Sequence, residues 1–469
     1  MGFISVEFFI FIGLTLFFFH VTKLHTIRLA VLIGSSFAFI ASFFTTIQAI
    51  LPFASFVLFL LVSVQITLLI KPEFRSLIAK FFMFAILAAF LILKGYIPFG
   101  LNFQTIGISY VLFRGIQLMG DAADGALEDR DVTPEHLLLF FTSFLTFAAG
   151  PIQHYEHFSL SLQRALSAPV SRINRALLIR RSLSGAIKLC LLTPLLMGSQ
   201  DEIISWNYPD AFNLAVACCT FLLYIYFSFS GYMDWVIAFG VALNFDLPDN
   251  FDRPHRAENF LDLWNRWHLT LSKTFRIYVF NPLVRFLMMR ISSNYRVMPG
   301  VTGYLVVFFL LGYWHGTEVR FAIFGLLIGV LASLTKFSQE LPYSKIVSRI
   351  LDNLPSTLRT ATTAGFSLGL LALCLIFTWP DYTLKDAIAL LNSPVKTVST
   401  ATLCICFAMI FCALAIEIEE YYLKIKSNKF GEKIITSDTL RLTLLFACLI
   451  IYNYFSPEIS SELVYYQRF

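Results

Sequence analysis

Apolar runs long enough to cross a bilayer recur from one end of the chain to the other, and nothing else constrains its fold as much. A spanning helix needs about 20 mostly apolar residues. Runs near that length lie at 3–20, 28–50, 53–70, 77–97, 105–120, 137–150, 177–197, 210–230, 231–246, 301–314, 320–337, 359–379, 400–420 and 439–455. In lipid each segment must satisfy its own backbone, so the runs predict helices. Composition agrees: 57% of the 469 residues are hydrophobic and 14% charged, against about a quarter charged in soluble domains. Several runs are short, so the expectation is an all-α polytopic membrane protein with about 11 transmembrane helices plus re-entrant or interfacial ones. A disordered chain, a disulfide-built secreted domain and a nucleic-acid binder are excluded.

The net charge of +5 takes its meaning from where the cations sit. Lys23 and Arg28 follow the first run, and Lys71, Arg75 and Lys80 follow the third. The segment 164–188 carries Arg164, Arg172, Arg175, Arg180, Arg181 and Lys188, and a late loop carries Lys424, Lys426, Lys429 and Lys433. By the positive-inside rule these connections are cytoplasmic and the N-terminus lies outside. The opening run lacks a cationic n-region and a small-residue cleavage site before Lys23, so it reads as a retained first span. All eight cysteines lie in apolar runs without a histidine at ligand spacing and read as small buried hydrophobes. No metal site is expected.

Residues 244–290 break the lipid-facing pattern. Pro248 and Pro254 precede a helix that Glu258 and Asn259 could open. Trp264, Trp267, Leu271 and Phe275 recur at three- and four-residue spacing and predict one aromatic stripe. An amphipathic helix lying at the cytoplasmic interface accounts for that spacing. It does not account for Trp264, Asn265, Arg266, Trp267 and His268 standing consecutively.

The second anomaly is LLGYWHGTEVRFAIFGLLIG, where His315 sits between Trp314 and Gly316 with apolar runs on both sides. An ionisable group within a membrane segment usually faces an interior cavity, and imidazole is suited to accept a proton near neutral pH. Gly312 and Gly316 flank it one turn apart and predict close approach of a helix or a ligand chain. The remaining histidines, at 20, 25, 136, 154, 157 and 255, lie near span ends or in polar loops. Phosphate- and dinucleotide-binding glycine loops are absent from the sequence.

At these two stretches the sequence resembles the membrane-bound O-acyltransferase family, in particular its bacterial branch of teichoic acid D-alanyl transfer and alginate and peptidoglycan O-acetylation proteins. NFDRPHRAENFLDLWNRWHLTLSKTFRIYVF is similar to the family's long motif and LGYWHGTEVRFAIFGLLIG to its Trp-His-Gly motif. GISYVLFRGIQLMGDAADG at 107–125, AAGPIQHYEHF at 148–158 and FSFSGYMDWVIAFG at 227–240 follow in the family's order. The likeness covers residues 1–340, with motif helices in 244–290 and 301–330, within one membrane domain of 1–469; residues 341–469 carry no recognised motif. It implies that His315 matches the catalytic histidine and His268 the second polar active-site position. It also implies a ring of tilted helices around a central channel, where a cytoplasmic donor and an extracytoplasmic acceptor meet.

Acyl transfer from a thioester to a hydroxyl needs a base, an oxyanion donor and exclusion of water. His315 is the candidate base; His268 or Asn265 could serve the oxyanion or position the donor. Trp264, Trp267 and Trp314 would wall the channel. Arg266, with Arg253, Arg256, Lys273 and Arg276, would suit an acidic acyl carrier protein or a coenzyme A phosphate, and equally anionic lipid. No bound cofactor is expected, the thioester donor being a substrate. The expected partners are the bilayer, a cytoplasmic acyl carrier protein and an extracytoplasmic acyl-accepting protein or polymer, at a cytoplasmic (inner) membrane. Two rivals remain. One is a proton-coupled transporter or flippase with His315 as relay and Asp234 as its carboxylate; the other is an inactive scaffold that recruits an esterase.

Overall fold

The computed structural model describes residues 5–44, 47–96, 107–127, 132–169, 172–197, 211–291, 297–341, 349–379 and 394–427. These are helical almost throughout, and the single extended feature is an antiparallel bridge between Phe251 and Trp267. Six helices are long and apolar enough to span: α3 (Ile47–Leu69), α4 (Pro72–Leu93), α9 (Ala211–Ala242), α14 (Val319–Glu340), α15 (Ser356–Leu375) and α16 (Pro394–Ser427). Two shorter apolar helices, α1 (Val6–Val21) and α2 (His25–Ala41), precede them. The chain is therefore a multi-pass membrane protein. The run expected at 439–455 lies outside the described residues.

Two expectations are corrected. The runs 210–230 and 231–246 do not form two segments but the one 32-residue helix α9. Ser230 and Gly231, at the junction of the two runs, are both buried inside that helix. The stretch 244–290 is not one amphipathic helix either. It comprises a 3-10 turn at Pro254–Arg256, α10 (Phe260–Trp264), α11 (Leu269–Phe275), a π turn at Arg276–Phe280 and α12 (Asn281–Met288). The break falls at His268, whose φ of 46° is left-handed and cannot continue a helix. Pro282, lacking an N–H, follows the π turn. Asn259 does open α10, its side chain accepting the Asp262 N–H at 3.0 Å.

Over the described residues the chain divides into two compact units. One holds Met1–Ala186 and Gly231–Asp249, the other Ile187–Ser230 and Asn250–Ile451. The first contains α5 (Ile108–Ala123), α6 (Pro134–Thr142), α7 (Tyr155–Ser167) and α8 (Arg175–Ala186). Its buried polar groups are cross-ties. Arg114 donates to the Phe140, Phe141 and Thr146 carbonyls at 2.6, 3.2 and 2.6 Å, satisfying oxygens that the end of α6 leaves open. Arg28 donates to the Leu166 and Ala168 carbonyls at 2.9 and 3.0 Å. That tie brings two segments, both read as cytoplasmic from their charges, to one place. Asp234 pairs with Arg181 at 2.6 Å and accepts from Ser184 at 2.7 Å.

The second unit contains both motif histidines. Its helices α13 (Met298–His315) and α14 form a tight hairpin. A Cβ on Gly312 would lie 2.3 Å from the Phe321 carbonyl oxygen and 2.7 Å from the Gly325 Cα, so the two backbones touch. The close approach expected at Gly312 is thus made by a helix.

Candidate active site

His268 stands at the start of α11, between a strand-like contact and a helix. Phe251 and Trp267 form the bridge, and the Asp252 N–H donates to the Arg266 carbonyl at 3.0 Å. On the other side of His268, the Leu269 N–H donates to the Asn250 carbonyl at 3.0 Å. The Asn250 side chain accepts from the Thr270 N–H at 3.1 Å and the Thr270 hydroxyl at 2.7 Å. Asn250 therefore caps α11 from 20 residues away, with 1% of its surface exposed. These bonds hold His268 left-handed, a conformation costing a non-glycine residue about 1–3 kcal/mol.

The His268 imidazole is buried, its ring edge-on to Phe229 at a centroid distance of 4.8 Å. Burial first, and the nearby His315 second, push its pKa down from 6.5 to about 3. It is a neutral imidazole at physiological pH, one nitrogen carrying a proton and the other a lone pair. His315 ends α13, where the backbone turns extended at Gly316. Half-buried, it packs on Trp314 at 4.7 Å and Phe324 at 5.8 Å. The fold thus places both histidines in one unit, close enough to interact electrostatically.

The other predicted residues separate. Trp264 and Asn265 line a cavity of about 210 Å3 together with Ser272, Arg276, Tyr304 and Phe308. Trp264 stacks on Phe308 at 4.9 Å, and its buried indole N–H meets no acceptor among the described residues. Trp267 faces elsewhere, onto Phe251 at 5.2 Å and Tyr226 at 5.7 Å, and walls a smaller, almost wholly apolar cavity of about 80 Å3. One stripe cannot hold both tryptophans because α10 ends at Trp264 and Trp267 lies in the non-helical turn before α11. Arg266 is bound to Asp262 at 2.8 Å, and Arg276 donates to the Asn265 side chain. Arg253 and Arg256 pair with Glu419 at 3.1 and 2.7 Å, the two sharing one carboxylate. Trp314 is buried against His315.

Sequence reasoning missed Asn250, Phe229 and Phe324. Only Asn250 carried a signal, as a polar residue between Pro248 and Pro254, and its partner cannot be read from local spacing. Among the described residues no group of three His, Cys, Asp or Glu is placed to hold a metal.

A teichoic acid D-alanyltransferase of Bacillus subtilis (strain 168) is 30% identical over 245 residues, 50% of this chain and 60% of the relative. A peptidoglycan O-acetyltransferase of Helicobacter pylori is 28% identical over 233 residues, 49% of this chain and 41% of the relative. A probable alginate O-acetylase of Pseudomonas fluorescens is 22% identical over 235 residues, 49% of this chain and 44% of the relative. The chain spans about half the length of these curated relatives. The family model of membrane-bound O-acyltransferases matches residues 14–341, which takes in both His268 and His315. On that match, the chain belongs to the membrane-bound O-acyltransferase family.

Proposed function

We propose that this chain is a membrane O-acyltransferase that moves a D-alanyl or acetyl group from a cytoplasmic thioester donor to a hydroxyl of an extracytoplasmic envelope polymer or acceptor protein. The observation that carries the reading is the pairing of a buried, neutral His268 with a half-buried His315 in one unit, each on a family motif. In this mechanism His315 takes the proton from the acceptor hydroxyl, a role worth about a hundred- to ten-thousand-fold. The oxygen attacks the thioester carbonyl carbon to give a tetrahedral oxyanion, which the N–H of His268 is suited to meet. Collapse breaks the carbon–sulfur bond, and the leaving thiolate recovers the proton from His315.

The cavity beside Trp264 fits the elongated arm of such a donor. Aromatic rings wall it, while Asn265, Ser272 and the Trp264 N–H offer hydrogen bonds to amide groups. An acyl carrier protein or coenzyme A would present that arm, with no resident cofactor. On this reading about 11 spans surround a central channel, in one domain at the cytoplasmic membrane, with α1, α2, α5 and α13 the described helices that would add to the six long ones. Nothing favours a transporter, since the Asp234 carboxylate that a relay would use is engaged by Arg181 and Ser184.

The test is mild-base release of ester-linked groups from envelope polymers, read by mass spectrometry. Cells carrying wild-type chain are compared with cells carrying His315→Ala at matched protein level. Loss of one released acid or amino acid in the variant is expected and names the acyl group. Equal release from both sinks the assignment of His315 as base.

A further inference from the structure

The part of the chain beyond residue 341 lies outside the family match and carries no recognised motif, yet it grips the loop that leads into the site. Glu419 of α16 is the centre of that grip. One of its carboxylate oxygens lies 3.1 Å from Arg253 Nε, and the other lies 2.7 Å from Arg256 Nε and 3.3 Å from His255 Nε2. From α15, the Thr363 hydroxyl donates at 3.0 Å to the carbonyl of Ala257, which is wholly buried. The two helices are locked to one another. Cβ atoms on Gly365 and Gly369 would lie 2.5 and 2.7 Å from the Met409 and Ile405 Cα atoms, so Glu419 and Thr363 act from one rigid pair.

The gripped turn is short and strained. Arg253 has a φ of 48°, left-handed like His268 at 46°, and neither conformation persists without partners to hold it. From Arg253 the chain needs only one residue to reach Asp252, whose N–H bonds Arg266, and three to reach Asn250, which caps α11. Every step from Glu419 to the His268 backbone is thus a hydrogen bond, an ion pair or a neighbouring peptide. Because Glu419 and Arg256 are only 20% and 29% exposed, removing the carboxylate leaves the half-buried Arg256 guanidinium uncompensated. That loss is felt far more than at the surface.

We infer that Glu419 is a positioning residue: by drawing Arg253, His255 and Arg256 onto α16 it fixes the turn that orients His268. The inference makes the unmatched C-terminal helices part of the catalytic apparatus, and its catalytic half rests on the transferase reading above.

The experiment uses the full-length chain in nanodiscs, with hydrogen exchange of the 250–270 backbone as a readout independent of activity. Glu419→Leu is expected to speed exchange at Asp252, Leu269 and Thr270 by about tenfold or more while amides of α13 and α14 stay unchanged. Glu419→Asp, which keeps the carboxylate, should restore most of the protection. Transfer at saturating donor should fall about tenfold in Glu419→Leu with the donor KM unchanged, and recover in Glu419→Asp. If Glu419→Leu does not accumulate, Arg256→Gln and Thr363→Val carry the same test from the opposite partners. Unchanged exchange in 250–270 overturns the positioning role whatever the activity. Faster exchange in a protein whose wild type makes no ester upholds the positioning role and overturns the transferase reading alone.

Discussion

Arg114 and His268 are both almost wholly buried, at 1% and 3% exposure, yet the protein keeps them in opposite ways. Arg114 sits on an ordinary helix and spends its donors on three backbone carbonyls, tying α5 to the end of α6 and the turn after it. His268 sits on a left-handed residue, against a phenyl ring, with its charged form suppressed by burial. The first is a charge used to close a backbone. The second is a group held neutral, at a conformational cost of about 1–3 kcal/mol that neighbours must offset. Burial alone therefore does not distinguish the two side chains; the strained backbone and the aromatic surroundings of His268 do.

The sharpest way to break the contrast is Arg114→Met. It fills similar space but leaves up to three buried carbonyls without a donor, each worth about 1–3 kcal/mol. The expected result is the largest stability loss of any single change discussed, seen as a melting temperature lowered by many degrees or failure to accumulate. Thermal unfolding followed by size-exclusion chromatography measures it, and a melting temperature within a degree or two of wild type would erase the distinction.

Asn250→Ala probes the other side. It removes a cap worth about 1–2 kcal/mol, so the melting temperature drops modestly. The transfer rate should fall more steeply, about tenfold or beyond, because the cap sets the His268 backbone; a mild-base ester assay at matched expression reads it. Equal, small effects on both would make Asn250 a plain packing residue.

The effect that is smallest at neutral pH, and grows only on the acid side, belongs to His268 itself. His268 has a pKa near 3 when folded and 6.5 when unfolded, so between those values the unfolded chain binds the extra proton. The stability this contributes is complete above about 6.5 and drains away as pH falls towards 3. His268→Gln should make the acid-side decline of the melting temperature shallower from pH 6.5 down to 4. An unchanged slope would mean the imidazole is not held neutral by the fold.

Much of this was legible in the sequence. The runs 301–314 and 320–337 became α13 and α14, and Asn259 became a cap, because hydropathy and capping act over a few neighbouring residues. The two histidines stood out because ionisable groups are scarce in such a chain. What stayed hidden depends on partners far along the chain. The helix break at His268 has no local signature, since it is imposed by Asn250, 20 residues upstream. Nor could local spacing show that Arg253 and Arg256 share the carboxylate of Glu419, more than 160 residues later.

The seam at Gly312 and Gly325 has a consequence for motion. Backbone meets backbone there, so no side chain at the crossing can swap rotamers to let one helix slide past the other. His315, at the end of α13, cannot be nudged by local repacking. Any change in its position requires α13 and α14 to travel together as a single lever, which confines regulation at this histidine to movements of the whole hairpin.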